Sequence, residues 1–284
     1  MHPADNDVKK AMMSALISLP LLHFDSRLVF IASCLCGGLS LLVVLGYPSR
    51  KLLLWDRVFA SLATGPRGNN AILYEIRTYD VKPSKMKEFV ELVCKCLHLR
   101  TAHSELVGFW TAELGAMNKA VHVWKYDNFA HRSAVRHALT NDKEWQGQFI
   151  SPALPLVEKQ HNEVAYLVPW CQLGKPPREG GVYEWVTFQM KPGGPALWGE
   201  AFQAAINAHI STGYTRLIGV FHTEYGLLNT VHVIWWNESS DHCVEGRRRA
   251  HEDARVVAAV RDSVRFLESQ QNMLLTPLAC SPLK

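Results

Sequence analysis

Short stretches of alternating apolar and polar residues are separated along this chain by stretches with helical spacing. From residue 72 onward the pattern predicts strand, helix, strand, strand, helix, strand, and the same order then follows a second time. The first set is predicted as strands at 72–81, 106–114, 119–126 and 163–168, with helices at 84–99, capped by Ser84, and at 129–145. The second set is predicted as strands at 181–190, 215–224, 230–237 and 272–276, with helices at 196–209 and 251–269.

The two sets also match each other residue by residue. Glu75 and Glu184 both follow a tyrosine and lie 109 positions apart, and Trp124 and Trp235 lie 111 positions apart. Several Gly, Glu and Asn positions between them match in the same order, which indicates an internal duplication. The predicted domains are an N-terminal extension at 1–70, a first unit at 71–170 and a second unit at 181–278, the units being joined by a Pro- and Gly-rich linker at 173–181.

The order βαββαβ is that of a ferredoxin-like unit, whose two helices cover one face of its sheet. The other face is bare and must be buried against something else. Two copies in one chain can bury these faces against each other. We therefore predict an α+β fold in which tandem ferredoxin-like units form a barrel of the dimeric α/β type within one chain. Tryptophans on the predicted strands, such as Trp185, Trp235 and Trp236, suit a sheet that is buried on both faces.

The N-terminal extension has a different character. Residues 28–47 are twenty consecutive positions without a charge, enough for a helix to cross the ~30 Å hydrocarbon core of a bilayer. This predicts an N-terminal apolar helix that attaches the chain to a membrane. Residues 49–68 are basic and amphipathic, as at the end of a mitochondrial transit peptide. The alternative is that residues 1–48 are absent from the working protein.

Composition narrows the function classes. The 48% hydrophobic content excludes a largely disordered chain, and a net charge of +4 gives no reason to expect a nucleic-acid partner. Seven scattered cysteines predict no complete disulfide framework and favour a compartment with little disulfide use. The sequence lacks nucleophile-elbow, zincin and phosphate-loop motifs. We therefore predict no catalytic residue, metal or cofactor.

Glu75 and Arg77 share one face of the first strand. If that face lines the barrel, they form an interior ion pair or a carboxylate-binding patch, and otherwise a structural bridge. Glu184 repeats Glu75, but Val186 replaces Arg77, so this pair is not expected to be duplicated.

Two strand histidines are further candidates. His122 and His232 are one position out of register in the repeat, so they should point to opposite faces relative to Trp124 and Trp235. Each is either a base or axial ligand lining the barrel, or a hydrogen-bonded core residue.

Polar residues at the end of a later strand form the last candidate group. His222 and Glu224 share a strand face beside a predicted hairpin, where they form either a small acid/base cluster or exposed polar residues at a strand end. The set of residues predicted to line the barrel or hold a ligand there comprises Glu75, Arg77, His122, Trp124, Glu184, His222, Glu224, His232 and Trp235. Tyr225 and Leu228 fit an acidic-aromatic-x-x-aliphatic pattern that partner proteins bind by strand addition.

Long stretches of the chain resemble the NIPSNAP family, above all its third subgroup. They include YEIRTYDVKPSKMKEF, LRTAHSELVGFW, VWKYDNFAHR and GVFHTEYGLLNTVHVIWWNES, and the resemblance extends over about residues 61–284. It implies a dimeric α/β-barrel fold and mitochondrial association, with the cytosol as the alternative. It also implies protein partners in vesicular trafficking or mitophagy, and no established reaction.

Two hypotheses for the function follow. The first is a non-enzymatic interaction protein, which could also form homo-oligomers. The second is a monooxygenase-like enzyme or a binder of a small hydrophobic molecule such as haem, which rests on fold analogy. A roomy interior containing His122 or Glu75 would favour the second hypothesis, and an interior filled by aromatic side chains the first.

Overall fold

A computed structural model of the chain describes residues 72–284. The strands are β1 (Leu73–Val81), β2 (Glu105–Leu114), β3 (Lys119–Tyr126), β4 (Val157–Leu167), β5 (Val182–Met190), β6 (Arg216–Tyr225), β7 (Thr230–Asn237) and β8 (Leu267–Pro277). The helices are α1 (Met86–Thr101), α2 (Phe129–Asn141), α3 (Gly194–Ser211), α4 (Ser240–Glu252) and α5 (Ala254–Val264). Short helical turns precede α1 at Pro83–Lys85 and connect α2 to β4 at Lys143–Trp145, Gln146–Ile150, Ser151–Ala153 and Leu154–Leu156. The predicted N-terminal extension, with the apolar segment 28–47, lies outside the described residues.

The eight strands form one closed antiparallel barrel in the order β1-β3-β2-β8-β5-β7-β6-β4. Each unit contributes a four-stranded sheet with its own first and third strands in the centre. The sheets join at two seams, β2 with β8 and β4 with β6. The predicted α+β fold, an antiparallel barrel carrying helices, is confirmed.

Aromatic side chains fill the barrel. Tyr74 of the first unit contacts Phe221 of the second, with ring centroids 5.1 Å apart, and Trp110 contacts Tyr183 at 5.4 Å. The strand register shifts at Gly108 and Gly219, and the lack of a Cβ atom on these glycines leaves room for the Trp110 and Phe221 rings. A Cβ atom on Gly108 would lie 2.2 Å from the Trp110 ring. The centre of the barrel is therefore a packed core built from both sheets.

Several predicted helix boundaries were wrong. The predicted helix at 251–269 covers only the last two residues of α4, all of α5 and the start of β8, and most of α4 was not predicted. The side chains of Ser239 and Asp253 cap these two separate helices. The predicted helix at 129–145 ends at Asn141, and the carboxylate of Asp142 caps the short turn that follows. Ser84 is not a helix cap, since it lies in a 3₁₀ turn and α1 begins without a side-chain cap.

The C-terminal tail is tied to the barrel. Cys94 of α1 forms a disulfide with Cys280, and the backbone N–H of Phe109 donates to Ser281 Oγ at 2.9 Å. The sequence analysis predicted no complete disulfide framework. In the described residues the structure has a disulfide between Cys94 and Cys280. The remaining cysteines of residues 72–284, namely Cys96, Cys171 and Cys243, are buried thiols.

Within residues 72–284 no helix has the length and apolar character needed to cross a bilayer. Over the same residues, no three His, Cys, Asp or Glu side chains are placed to hold a metal ion.

Candidate functional site

Each unit has a cavity between the outer face of its sheet and its helices. The cavity of the second unit has a volume of about 630 Å³, and that of the first unit about 240 Å³. We call them the large cavity and the small cavity. Both lie outside the barrel, because the residues that line them alternate along the strands with those of the packed barrel core.

The large cavity has mostly apolar walls, contributed by β5, α3 and α5. They include Val186, Phe188, Trp198, Phe202, Ile206 and Val260. This surface is typical of sites for drug-sized apolar ligands, which occupy roughly 300–1,000 Å³.

A polar cluster lies at one side of the large cavity, around Glu184. Arg247 of α4 forms an ion pair with this carboxylate, and Asn272 Nδ2 donates to Glu184 Oε1 at 2.7 Å. The Cys243 thiol donates to Glu184 Oε2 at 3.6 Å. Burial, and then the Glu184 charge, raises the pKa of this thiol to about 11, so it stays protonated at neutral pH. The cluster supplies fixed hydrogen-bonding groups rather than a thiolate.

Among the described residues that line the large cavity, two carry a buried N–H group without a partner. They are Trp198 Nε1 and Asn237 Nδ2, on side chains only 1% and 2% exposed. A buried donor without an acceptor costs about 1–3 kcal/mol. A ligand that placed an oxygen acceptor near either group would remove that cost.

The first unit has a related cluster around Glu75. This side chain is fully buried and accepts hydrogen bonds from Arg132 Nη2 at 2.8 Å and from Asn162 Nδ2 at 3.0 Å. Burial alone would raise the pKa of the carboxyl group, but the Arg132 hydrogen bond, the nearby Arg77 charge and the Asn162 hydrogen bond together lower it. Glu75 is therefore a buried carboxylate paired with Arg132.

Glu75 and Glu184 are thus both ion-paired, but with arginines on helices rather than on the first strand. Arg132 lies four positions after the helix cap Asn128, and Arg247 lies eight positions after the equivalent cap, Ser239. The predicted partner of Glu75, Arg77, was wrong, because the carboxylate pairs with Arg132 instead. Val186 does replace Arg77 in the second unit, and the ion pair found in both units uses helix arginines. The signal that could have found the pairs is an arginine one or two turns into the helix that follows the third strand of each unit.

Smaller residues in the second unit explain its larger cavity. Asn237 occupies the position of Tyr126, whose hydroxyl accepts from Arg100 at 2.7 Å and donates to Glu75 at 3.3 Å. Cys243 occupies the position of Arg132, four residues beyond the helix cap. Two bulky side chains of the first unit are therefore replaced by short ones in the second.

The outer strand faces hold most of the residues that were predicted to line the barrel. Glu75, Arg77, His122, Trp124, Glu184, His222, Glu224 and Trp235 lie on these faces. The prediction that these residues line the barrel was therefore wrong. They alternate along the strands with residues that do face the barrel core, such as Tyr74 and Val123. Of these, Arg77, His122 and Trp124 line the small cavity, and Glu184 and Trp235 line the large one.

Of the two strand histidines, His232 is the one that faces the barrel core. Its Nε2 lies 2.7 Å from Glu163 Oε2, and its Nδ1 lies 3.0 Å from the Thr187 hydroxyl and 3.2 Å from Trp185 Nε1. Burial alone would raise the pKa of Glu163, but the hydrogen bond and charge of His232 lower it. This pair joins β4 to β7 at one end of the barrel.

His122 lies in the opposite direction, against the small cavity. The ring is 4% exposed, stacks on Phe109 with centroids 4.4 Å apart, and accepts at Nδ1 from Trp124 Nε1 at 2.7 Å. Burial, and then the charges of Arg77 and Arg100, holds its pKa well below the ordinary 6.5. The imidazole is therefore neutral at physiological pH.

The remaining polar candidates lie near the β6–β7 hairpin. Burial lowers the pKa of His222, although the charge of Glu224 acts in the opposite direction. Tyr225 and Leu228 are 62% and 58% exposed. Tyr225 ends β6 opposite Val164, and Asn229 has a φ of +61°, so the pattern lies in a tight hairpin. Strand addition there would require the hairpin to open.

Comparison with known proteins identifies the family. The NIPSNAP family profile matches residues 74–172 and 183–282, one match in each unit. The chain belongs to the NIPSNAP family. It is 65% identical to human Protein NipSnap homolog 3A over 232 residues, covering 81% of this chain and 94% of that protein. It is 60% identical to mouse Protein NipSnap homolog 3B over 233 residues, covering 82% and 94%.

A more distant likeness concerns the fold alone. A solved structure of a putative monooxygenase from Lactobacillus acidophilus covers 72% of this NIPSNAP chain and 93% of its own, with a TM-score of 0.54 and 10% identity. At that identity the shared feature is the arrangement of strands and helices.

Proposed function

We propose that this NIPSNAP protein acts by binding, and that its large cavity holds a small, mainly apolar molecule with an oxygen acceptor. The observation that carries the proposal is the pair of unpartnered donors, Trp198 Nε1 and Asn237 Nδ2, in a cavity of about 630 Å³. The apolar walls favour transfer of a hydrocarbon or ring system out of water, and the two donors favour one orientation of it.

The polar cluster around Glu184 supports binding rather than chemistry. Its carboxylate is paired with Arg247 and Asn272, and the pKa of Cys243, about 11, keeps that thiol in its less nucleophilic form. These groups are suited to orienting a bound molecule. A monooxygenase-like activity remains the alternative to this proposal.

The test is titration of the full chain with 6-propionyl-2-(dimethylamino)naphthalene, a neutral apolar probe that carries one carbonyl oxygen and whose fluorescence shifts on binding. The decisive variant is Asn237→Tyr, which places in the second unit the residue that Tyr126 supplies in the first. We expect saturable binding that weakens at least tenfold in Asn237→Tyr. Val244→Ala is the control, because Val244 lies on the same helix as Cys243 but is 62% exposed. Equal binding by Asn237→Tyr and the unmodified chain would overturn the proposal.

We also propose the interaction role implied by the family resemblance. In it the protein is a non-enzymatic partner-binding protein, associated with mitochondria, that takes part in vesicular trafficking or mitophagy. The exposed side chains of Tyr225 and Leu228 support it, together with Phe129, which is 41% exposed and meets the Tyr225 ring edge-on at 5.7 Å.

The interaction role is tested with a purified ubiquitin-like autophagy modifier and the full chain. Calorimetry should detect binding that is lost when Tyr225 and Leu228 are both changed to alanine, and retained when exposed Leu154 is changed instead. Binding that survives the double change would refute the assignment to this hairpin. Carbonate extraction of cell membranes tests attachment through residues 28–47, since release into the soluble fraction excludes a span.

A further inference from the structure

The small cavity of the first unit differs from the large one in charge. Three arginines line it, namely Arg77, Arg100 and Arg136, and its described lining contains no carboxylate. Glu75 lies on the same strand as Arg77, but its oxygens are engaged by Arg132, Asn162 and Tyr126. The cavity is therefore a region of excess positive charge.

Among the described residues that line this cavity, two carry a donor that lacks an acceptor. His122 accepts at Nδ1 from Trp124, so the proton of the neutral ring must be on Nε2. This Nε2–H group is buried and has no partner, and the same is true of Arg77 Nε. Both residues line the small cavity. Arg100, by contrast, donates to Ser104 and Tyr126 and stacks over the Trp124 ring at 3.9 Å.

The two residues that carry these donors are neighbours on the sheet. Arg77 of β1 lies directly opposite His122 of β3 in the antiparallel pairing. Side chains at such positions project from the same face with Cβ atoms about 4.5–5.5 Å apart. Tyr79 supports the guanidinium of Arg77 at 5.3 Å from its ring centroid. The pairing therefore places two side chains with unpartnered donors side by side on the face that the cavity covers.

We propose that the small cavity binds the carboxylate of a small organic acid, with Arg77 and His122 donating to its oxygens. Charge-assisted hydrogen bonds from an arginine to a carboxylate are among the strongest in proteins. The rest of the lining is largely apolar, including Leu139 and Phe149, and would cover a hydrocarbon chain or ring. A volume of about 240 Å³ is below the ~300 Å³ of sites for drug-sized molecules, so the ligand is metabolite-sized.

The second unit supplies a natural comparison. Val186 replaces Arg77 and Val233 replaces His122, and both valines belong to the apolar core beneath its helices. The donor pair is thus confined to the first unit, and this proposal is independent of the one for the large cavity. The same comparison shows that valine is accepted at both positions in a sheet of this fold.

The experiment is isothermal titration of the full chain with octanoate, compared with octanol as a neutral analogue and with inorganic phosphate. We expect one octanoate to bind, with affinity at least tenfold higher than that of octanol or phosphate. Arg77→Val and His122→Val should each weaken octanoate binding at least tenfold. Lys87→Gln, at a residue whose side chain is 90% exposed in the same unit, should leave it unchanged. If Arg77→Val does not fold, as judged by circular dichroism, Arg77→Gln takes its place.

Four results would overturn the proposal. They are the absence of saturable octanoate binding, equal affinity for octanol, tighter binding of phosphate, and octanoate binding that is lost in Asn237→Tyr but not in Arg77→Val. The last result would assign octanoate to the large cavity. Loss of probe binding in Asn237→Tyr with octanoate binding intact would leave this inference standing, so the two proposals can fail separately.

Discussion

Acidification should destabilise the fold through His122. The ring is buried, accepts a hydrogen bond from Trp124, and faces Arg77 and Arg100 with Tyr79 against its edge. Protonation of the imidazole would add a positive charge beside the guanidinium groups of Arg77 and Arg100. It would also turn Nδ1, which accepts from Trp124, from an acceptor into a donor. Both effects oppose the charged form, so the folded chain takes up this proton only well below pH 6.5.

The sign and size of the effect follow from proton linkage. Above pH 6.5 the histidine is neutral in the folded and unfolded chains, and its full contribution to stability is present. As the pH falls below that value the unfolded chain binds a proton that the folded chain does not, and stability is lost. The loss approaches about 1.4 kcal/mol per pH unit, which amounts to about 2 kcal/mol at pH 5.0 while the folded ring stays neutral.

Urea unfolding at pH 7.5 and pH 5.0 measures this loss. Other histidines also titrate, so the informative quantity is the difference between the unmodified chain and His122→Gln. We expect the free energy of unfolding to fall about 2 kcal/mol further in the unmodified chain. His161→Gln is the control, because that side chain is 63% exposed. The carboxyl groups of Glu75 and Glu163 lose their contribution only below their ordinary value of 4.5, outside this pH range. A difference that stays constant between the two pH values would refute a neutral, buried His122.

Three further predictions concern stability and are measured by urea unfolding. Glu75→Ala should lower the free energy of unfolding by roughly 3 kcal/mol, because it leaves Arg132 unpaired beside the core, and a loss no larger than that of exposed Glu91→Ala would contradict this. Gly108→Ala should cost about 1–3 kcal/mol, since its Cβ would meet the Trp110 ring at 2.2 Å. Gly147→Ala should lower the free energy of unfolding much less, because nothing lies within 4 Å of the added Cβ atom. Equal losses in the two glycine variants would refute the steric argument. Cys280→Ser should cost about 2–4 kcal/mol under oxidising conditions and little in dithiothreitol, and a cost independent of the reductant would exclude a stabilising disulfide.

The strands and the closure of the barrel could be predicted because they are local or repeated properties. Alternation identified β3 and β7 with the observed bounds, Lys119–Tyr126 and Thr230–Asn237. The duplicated order βαββαβ required two bare sheet faces, and these faces bury Tyr74 and Tyr183 in one core. Helix boundaries were less certain, because the caps at Asp142 and Asp253 interrupt stretches whose apolar spacing continues past them.

The site could not be derived in the same way, because it depends on contacts between distant segments. Alternation places Glu75 and Arg77 on one face but does not say whether that face is inside the barrel or under the helices. The partner of Glu75 is Arg132, 57 residues away, and Cys94 meets Cys280 across 186 residues. Unpartnered donors such as His122 Nε2 are visible only when every neighbour has been placed.

The joining of two half-barrels in one chain has a consequence for how such a protein can evolve. In a symmetric homodimer a single codon change alters both halves together, so a substitution that improves one pocket is imposed on the other. Here each half has its own codons, and Tyr126 and Arg77 have been able to persist in one half while Asn237 and Val186 occupy the other. Fusion thus frees the two pockets to specialise for unlike molecules while the scaffold around them stays the same.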